Sequence, residues 1–284
     1  EYVADCWKSR IWLTGFTGSA GTALVTKEFA ALWADGRYFI QAANEISNSE
    51  FQLMKMAIPG FPTLPEWLAG NLPDGAKVGF DGRTVSHSVC AELNKTLKII
   101  GTELVGDYDL INEIWTDRPA LPFSTVYPHE LRFAGKSFSE KLSEVRAMMA
   151  AMKAGAYFLS SMDDIAWLFN LRGDDVNCNP VFHAYALLTD SAATLFIDEK
   201  RLTPDARNIL AEDHVTILPY EQTTSSLRAM KGGKVYFDPD RTSILHSEAL
   251  SKENEIAEGL DFTTKLKGIK NPTEIELLRK THAK

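Results

Sequence analysis

Short β-rich segments alternate with helical segments along the chain of 284 residues, and this alternation constrains the fold more than any other feature. In the first half we predict strands over 22–26, 30–34, 51–56, 77–81 and 99–105, and helices over 37–46, from Thr63 onward and over 86–98. Thr63 and Glu66 have the spacing of a helix-capping box. Strands that alternate with helices form a sheet covered by helices, so the sequence predicts the α/β class.

A proline-rich segment separates the two halves. Residues 117–128 contain three prolines, and proline lacks the N–H group that a helix or a central strand would need. The chain is also longer than the ~250 residues at which a single hydrophobic core usually stops growing. We therefore predict a first domain over 1–117, a linker over 118–128 and a second domain over 129–268.

The two halves resemble each other in sequence. Trp12, Leu13 and Gly18 recur with the same spacing as Trp167, Leu168 and Gly173, segment 77–81 recurs as 234–238, and segment 32–35 recurs as 195–198. Three matches in the same order indicate a duplicated domain. The alternative is that two unrelated α/β units share a general strand-turn-helix pattern.

The composition excludes several classes of protein. The formal net charge of -8 provides no basic face for nucleic acid. No stretch reaches the ~18 consecutive apolar residues that a membrane-spanning helix needs, and the first five residues lack the layout of a signal peptide. The three cysteines are far apart and odd in number, which is typical of free thiols in a reducing compartment. We therefore predict a cytoplasmic protein that binds neither membrane nor nucleic acid.

No motif for bond-breaking chemistry stands out. The glycine-rich segment 15–21 precedes a strand rather than a helix, which indicates a structural turn and not a phosphate loop. The six histidines are scattered, and none has a metal-ligand partner at helical spacing. We interpret Asp163 and Asp164 as helix-capping acids and Asp174 and Asp175 as solvated turn acids.

Arg37 is the one candidate binding residue. It follows Asp35 and Gly36 at the end of an apolar strand, where its guanidinium could reach a peptide carbonyl or carboxylate. The alternative is a surface arginine that only pairs with Asp35.

Several runs of residues then make the chain recognisable. Residues 12–22 read Trp-Leu-Thr-Gly-Phe-Thr-Gly-Ser-Ala-Gly-Thr and 32–39 read Leu-Trp-Ala-Asp-Gly-Arg-Tyr-Phe, which resembles the first domain of aminopeptidase P. Residues 164–173 read Asp-Ile-Ala-Trp-Leu-Phe-Asn-Leu-Arg-Gly and 179–182 read Asn-Pro-Val-Phe, which resembles its second domain. The segments 114–119 and 269–274 fit as well, so the resemblance to the three-domain form of this family spans nearly the whole chain.

The resemblance implies two tandem creatinase/prolidase N-terminal-type domains, each a mixed β-sheet flanked by helices. In this family they precede a catalytic "pita-bread" domain that binds two divalent metal ions, usually manganese, through ligands that would all lie beyond residue 284. The family removes an N-terminal residue that precedes proline, so its substrates are peptides with proline at the second position. Arg37 matches the arginine that reaches from the first domain toward the bound peptide.

From the resemblance we expect no catalytic residue and no metal ligand within this chain, and therefore no peptidase activity of the chain alone. We expect its partners to be its own catalytic domain, the peptide substrate and a second copy in a homodimer. Residues 269–284 would then begin the catalytic domain, with a helix near Asn271 whose capping spacing involves Glu276.

Two other functions stay open at this stage. A pita-bread relative that has lost its metal ligands would serve as a peptide- or protein-binding module. An independent α/β binder of small molecules would have a pocket complete within this chain.

Overall fold

A computed structural model describes residues 3–283 and divides them into two compact units. The N-terminal unit contains Val3–Asp81 and Val89–Leu121, and the C-terminal unit contains Gly82–Ser88 and residues 122–283. The described residues do not include Glu1, Tyr2 and Lys284. The expectations about the first five residues and about segment 269–284 therefore partly concern residues outside this range. Both units combine mixed β-sheets with helices, which confirms the predicted fold class.

The regular part of the N-terminal unit consists of five strands and four helices. The first two residues of the fourth helix, His87 and Ser88, belong to the C-terminal unit. In chain order they are α1 (Ser9–Thr14), β1 (Thr22–Val25), β2 (Ala30–Ala34), α2 (Phe39–Glu45), β3 (Gln52–Lys55), α3 (Leu64–Asn71), β4 (Lys77–Gly79), α4 (His87–Leu97) and β5 (Glu103–Val105). β2 pairs with β1 in antiparallel and with β3 in parallel orientation, and β4 pairs with β5 in parallel orientation.

Strand β2 is buried on both faces, which explains its continuous apolar sequence. Successive side chains of a strand point to opposite faces. Leu32 and Ala34 therefore pack with Phe16 of the glycine-rich loop and with α2, while Ala31 and Trp33 pack on the other side. The polar residues that follow β2 emerge directly from this buried strand.

The predicted start of α3 is confirmed in atomic detail. The backbone N–H of Thr63 donates to the Glu66 carboxylate at 2.8 Å, and the Thr63 hydroxyl accepts from the backbone N–H of Glu66, so the capping box is closed in both directions. The strand predicted over 99–105 is too long. Gly101 has a φ of 67° and ends a short 3₁₀ turn over Lys98–Ile100, so the strand begins only at Glu103.

The C-terminal unit contains eight further strands and eight further helices. In chain order they are β6 (Tyr127–Pro128), α5 (Leu131–Ala134), α6 (Phe138–Ala151), β7 (Ala156–Leu159), α7 (Met162–Leu168), β8 (Leu171–Arg172), β9 (Tyr185–Thr189), β10 (Ala193–Phe196), α8 (Pro204–Glu212), β11 (Val215–Leu218), α9 (Thr223–Ala229), β12 (Lys234–Phe237), α10 (Ile244–Ser251), β13 (Glu255–Glu258), α11 (Phe262–Gly268) and α12 (Pro272–His282).

Six of these strands form one mixed sheet in the order β11-β10-β9-β7-β12-β13. The pairs of β9 with β7 and with β10 are antiparallel, and the other pairs are parallel. β7 is buried at every position, and its residues alternate between two core clusters: Tyr157 and Leu159 belong to one, Ala156 and Phe158 to the other. This sheet therefore has an apolar core on both faces.

The strand pairings support the repeat found in the sequence. β9, β10 and β11 pair with the same orientations as β1, β2 and β3, and β12 pairs with β13 as β4 pairs with β5. A general strand-turn-helix pattern would not require the same pairings in the same order, so the duplication is the better explanation.

The last helix begins where the sequence places it, but its cap uses a different acid. The Asn271 side chain accepts from the backbone N–H of Glu274 at 3.0 Å, and the Glu274 carboxylate accepts from the backbone N–H of Asn271 at 2.8 Å. The expectation that Glu276 completes the cap is therefore wrong, because Asn271 is itself the cap and its partner lies three residues later. Glu276 instead pairs with Lys280 on the helix surface at 2.6 Å.

Candidate functional site

Arg37, the residue that the sequence singled out, lies in the turn that leaves β2. The backbone N–H of Tyr38 donates to the carbonyl of Asp35 at 2.9 Å and closes this turn before α2 begins. The Arg37 side chain is 68% exposed. Its guanidinium therefore projects from a rigid strand end into solvent, as the binding hypothesis requires.

Asp35 accepts three hydrogen bonds from Arg37, two of them from the guanidinium. Its Oδ1 accepts from the backbone N–H and from Nε of Arg37, each at 3.0 Å, and its Oδ2 accepts from Nη2 at 2.7 Å. These hydrogen bonds lower the pKa of Asp35 and raise the pKa of Arg37, so both groups stay charged at neutral pH. The pairing that the sequence left as an alternative is thus present, and it orients the exposed arginine.

Tyr38 supports the same guanidinium from one face. The Arg37 guanidinium carbon lies 5.1 Å from the centre of the Tyr38 ring, within the range of a cation–π contact. The Tyr38 hydroxyl is 2.6 Å from the Ser19 hydroxyl, and the Tyr38 ring packs edge-on against the buried Phe16 at 5.7 Å. The hydrogen bonds with Ser19, more than the charge of Arg37, lower the pKa of Tyr38.

The glycine-rich loop supplies the surface on which Tyr38 rests. A Cβ atom at Gly18 would lie 2.9 Å from Cδ1 of Tyr38 and would also clash with the Phe16 ring, so only glycine fits there. Arg10 donates to the carbonyl oxygens of Gly18 and Gly21 and fixes the loop from the other side. The predicted structural turn is therefore consistent with these contacts.

The loop also shows why it is unsuited to phosphate. The Glu45 carboxylate accepts from the backbone N–H of Thr17 at 2.9 Å and from its hydroxyl at 2.7 Å, so an internal anion already occupies these donors. Gln41 donates to the Thr17 hydroxyl at 2.9 Å and to Glu45 at 3.1 Å. These contacts connect α2 to the loop.

Together these residues form one polar surface, which we name the Arg37 cluster. Its members are Thr17, Ser19, Asp35, Arg37, Tyr38, Gln41 and Glu45. The cluster presents one oriented guanidinium, which is suited to binding an oxygen acceptor.

The sequence interpretation is wrong for one acid in each of two acidic pairs in the C-terminal unit, Asp164 and Asp175. Asp164 does not cap α7: it is fully buried, and its Oδ2 accepts from Arg241 at 2.8 Å and from the Thr264 hydroxyl at 2.9 Å. Lys267 lies 3.2 Å from its Oδ1. Arg241 and Thr264 are 77 and 100 residues away from Asp164 along the chain, which is why local sequence gave no signal.

Asp175 is likewise not a solvated turn acid. Its buried carboxylate accepts from the Arg201 guanidinium at 2.6 Å, from the His183 ring at 2.9 Å and from the Ser124 hydroxyl at 2.6 Å. Burial alone would raise the pKa of Asp175, but the hydrogen bonds from His183 and Ser124 and the charge of Arg201 outweigh it, so the pKa lies well below the ordinary value. This network is structural, since it joins chain segments inside the unit.

The described residues 3–283 contain no group of three or more His, Cys, Asp or Glu side chains that could hold a metal ion. Of the histidines, His183 and His246 are buried, and burial lowers the pKa of His246 to about 4. Among the same residues, no helix has the length and apolar character that a membrane span requires.

Comparison with known proteins identifies the fold. Two models of the creatinase/prolidase N-terminal domain match the chain, one over residues 6–113 and the other over residues 117–274. A protein of Penicillium rubens named "Probable Xaa-Pro aminopeptidase P" is 37% identical over 292 residues, which cover 99% of this chain and 47% of the relative. A protein of the same name from Arthroderma gypseum is 40% identical over 283 residues, 95% of this chain and 44% of the relative.

A solved structure is similar over the same extent. The crystal structure of an X-prolyl aminopeptidase from Caenorhabditis elegans, described as a cytosolic enzyme with a di-nuclear active site, has a TM-score of 0.92 and 30% identity. The match covers 99% of this chain and 47% of that one. The chain thus spans about half the length of the relatives that it matches. With a matching domain model over each half, the chain belongs to the creatinase/prolidase N-terminal domain family.

Proposed function

We propose that the two units form the N-terminal, non-catalytic part of a metal-dependent aminopeptidase that releases the N-terminal residue preceding a proline. The observation that carries this proposal is the structural similarity to the X-prolyl aminopeptidase of C. elegans, with a TM-score of 0.92 over 99% of the chain. The names of the curated relatives agree with it. The role of these units would be to shape access to the catalytic centre and to hold the peptide.

Arg37 is the residue we propose for holding the peptide. Its guanidinium is exposed, oriented by Asp35 and backed by Tyr38, so little side-chain entropy is lost when it binds an acceptor. A peptide backbone offers carbonyl oxygens that match such a donor. A contact with the peptide beyond the scissile bond would increase the binding of longer peptides more than that of dipeptides.

The hydrolytic chemistry is proposed to lie in the part of the protein that this chain does not contain. The C. elegans enzyme is described as di-nuclear, whereas residues 3–283 here offer no group of side chains suited to a metal ion, so we assign no catalytic step to them. We propose that two divalent ions, of which manganese suits hard oxygen ligands best, bind in that other part. The full protein would act in the cytosol, like the C. elegans enzyme, and form a homodimer.

The proline requirement has a physical basis within this proposal. The amide bond before proline has no N–H group, and the proline ring fixes φ. A site shaped around that ring can therefore reject ordinary peptides, which carry an additional hydrogen-bond donor and a different backbone shape.

The proposal is tested by comparing the full-length gene product with the 284-residue chain. Both would be incubated with Mn²⁺ and an Xaa-Pro-containing peptide, and the released N-terminal residue would be quantified. We expect turnover by the full-length protein only, and its loss on chelation of the metal. Turnover by the 284-residue chain would contradict the proposed division of labour. A folded full-length protein that is inactive with every Xaa-Pro peptide would instead favour a binding module.

A further inference from the structure

The hydrogen bonds of Arg37 leave one defined edge of its guanidinium available. An arginine carries five N–H donors. Asp35 uses the Nε donor and one Nη2 donor, at 3.0 and 2.7 Å. Within residues 3–283, Nη1 donates to no acceptor, and the Tyr38 ring lies against the guanidinium. The edge formed by Nη1 and the second Nη2 donor therefore remains for a ligand.

The shape of this edge fits either kind of oxygen that a peptide offers. A free carboxylate could accept from both nitrogens, and so could a single carbonyl oxygen with its two lone pairs. The geometry of this edge does not discriminate between a carboxylate and a carbonyl oxygen. Any discrimination between them must therefore come from the local charge.

The charges of Arg37 and Asp35 balance each other. The Asp35 carboxylate is ionised because the hydrogen bonds from Arg37 lower its pKa, and it neutralises the guanidinium at hydrogen-bond distance. A second carboxylate on the opposite edge would be repelled by Asp35 while it is attracted by Arg37. A neutral carbonyl oxygen keeps its hydrogen bonds to the guanidinium and meets far less repulsion.

We infer that Asp35 is a specificity-determining residue, which prevents Arg37 from favouring a free C-terminal carboxylate over an internal peptide carbonyl. This inference rests on the proposed function, in which Arg37 contacts the bound peptide. It predicts that the enzyme accepts peptides that extend beyond Arg37 or end in an amide there, as well as peptides whose free C-terminal carboxylate lies at Arg37. Removing the charge of Asp35 while keeping its shape would turn Arg37 into a carboxylate receptor.

The test uses the full-length, metal-loaded enzyme and pairs of Xaa-Pro peptides that differ only in a C-terminal acid or amide. The peptide length is set to that at which Arg37→Ala has its largest effect. Asp35→Asn keeps an Oδ1 acceptor for the backbone N–H and Nε of Arg37, removes the negative charge and replaces the Oδ2 acceptor of Nη2 with an amide donor. The double variant Asp35→Asn with Arg37→Ala reports whether any change acts through the arginine.

We expect Arg37→Ala to lower kcat/KM for acid and amide peptides by the same factor. We expect Asp35→Asn to shift the acid-to-amide ratio of kcat/KM toward the acid by about fivefold, mainly through KM, and the double variant to abolish this shift. The inference is overturned if Asp35→Asn leaves the ratio unchanged, if the shift persists in the double variant, or if Arg37→Ala weakens the acid peptide selectively. If Arg37→Ala changes kcat/KM for no peptide of any length, the proposed contact between Arg37 and the peptide is itself refuted.

Discussion

Tyr157 donates its hydroxyl hydrogen to Oδ1 of Asp261 at 2.7 Å, while the buried Oδ2 of the same carboxyl has no hydrogen-bond partner among residues 3–283. Burial raises the pKa of Asp261 to about 7, and the negative charges of Asp164 and Asp238 add to this effect, against the hydrogen bond from Tyr157 and the charge of Arg241. Between about pH 4 and about pH 7 the folded protein therefore holds a proton on Asp261 that the unfolded chain has released.

The raised pKa of Asp261 predicts that the contribution of this carboxyl to the stability of the C-terminal unit is lost as the pH rises from about 4 to about 7. A carboxyl whose pKa is higher in the folded state favours folding at low pH, and that advantage is lost as the pH rises through the folded pKa. Asp261→Asn removes this titration. The stability difference between variant and wild type should therefore increase in favour of the variant between pH 4 and pH 8, by on the order of 4 kcal/mol at most.

Chemical denaturation of the 284-residue chain at a series of pH values measures this difference. Asp74→Asn, which alters an exposed aspartate, is the matched control and should leave the pH profile unchanged. A parallel pH dependence of Asp261→Asn and wild type would contradict the prediction.

The buried pair of Asp175 and Arg201 predicts a large loss of stability when one partner is neutralised. Asp175→Asn leaves the buried Arg201 guanidinium without its counter-charge, which costs about 3 kcal/mol at neutral pH. In the wild type the lowered pKa of Asp175 stabilises the fold above the pKa of an ordinary carboxyl, and this contribution is lost as the pH falls. Calorimetric melting at pH 7 and at low pH measures both effects.

Glu130→Gln is the control for that experiment. Glu130 also accepts from an arginine, Arg132, at 2.7 Å, but both side chains are mostly exposed. Such surface pairs contribute little, so the melting temperature should not change. Similar effects of the two substitutions would show that burial is not what makes the Asp175 pair important.

The tight packing at Gly18 predicts that a substitution in the glycine-rich loop changes the orientation of Arg37. In Gly18→Ala the new methyl group would meet Tyr38 and the buried Phe16, so both rings must move. We expect a lower melting temperature and weaker binding of longer peptides by the full-length enzyme. Gly70→Ala, in helix α3 with no atom within 4 Å of the added Cβ, should instead be neutral or slightly stabilising. Gly18→Ala behaving like Gly70→Ala would contradict the packing argument.

The proposed role of Arg37 predicts a dependence on peptide length. In the full-length enzyme, Arg37→Ala should lower kcat/KM for longer peptides about tenfold more than for dipeptides, because the lost contact is with the peptide beyond the scissile bond. Equal losses for both substrates would count against this role.

Arg132→Ala offers a close control for that measurement. Arg132 is also exposed, also pairs with a carboxylate two residues earlier, and also lies over the ring of the next residue, Phe133, at 4.6 Å. Its loss should not produce the length-dependent defect. A defect of equal size would mean that any exposed, stacked arginine has this effect.

The local features of this protein were determined by the sequence. The apolar run of β2, the capping box at Thr63 and the alternation of strands with helices depend on residues within a few positions of one another. Arg37 could be predicted as an exposed residue at a strand end for the same reason, and its neighbour Asp35 was visible two residues away.

Tertiary structure alone decided which charges are buried and which partners neutralise them. Asp164 and Asp175 looked like ordinary helix and turn acids, since Arg241 and Arg201 lie 77 and 26 residues away along the chain. The raised pKa of Asp261 likewise depends on a hydroxyl 104 residues earlier and on exclusion of water by the surrounding core. Hydrogen-bond partners and solvent exposure are properties of the packed structure, because the free energy of a charge depends on what surrounds it in space.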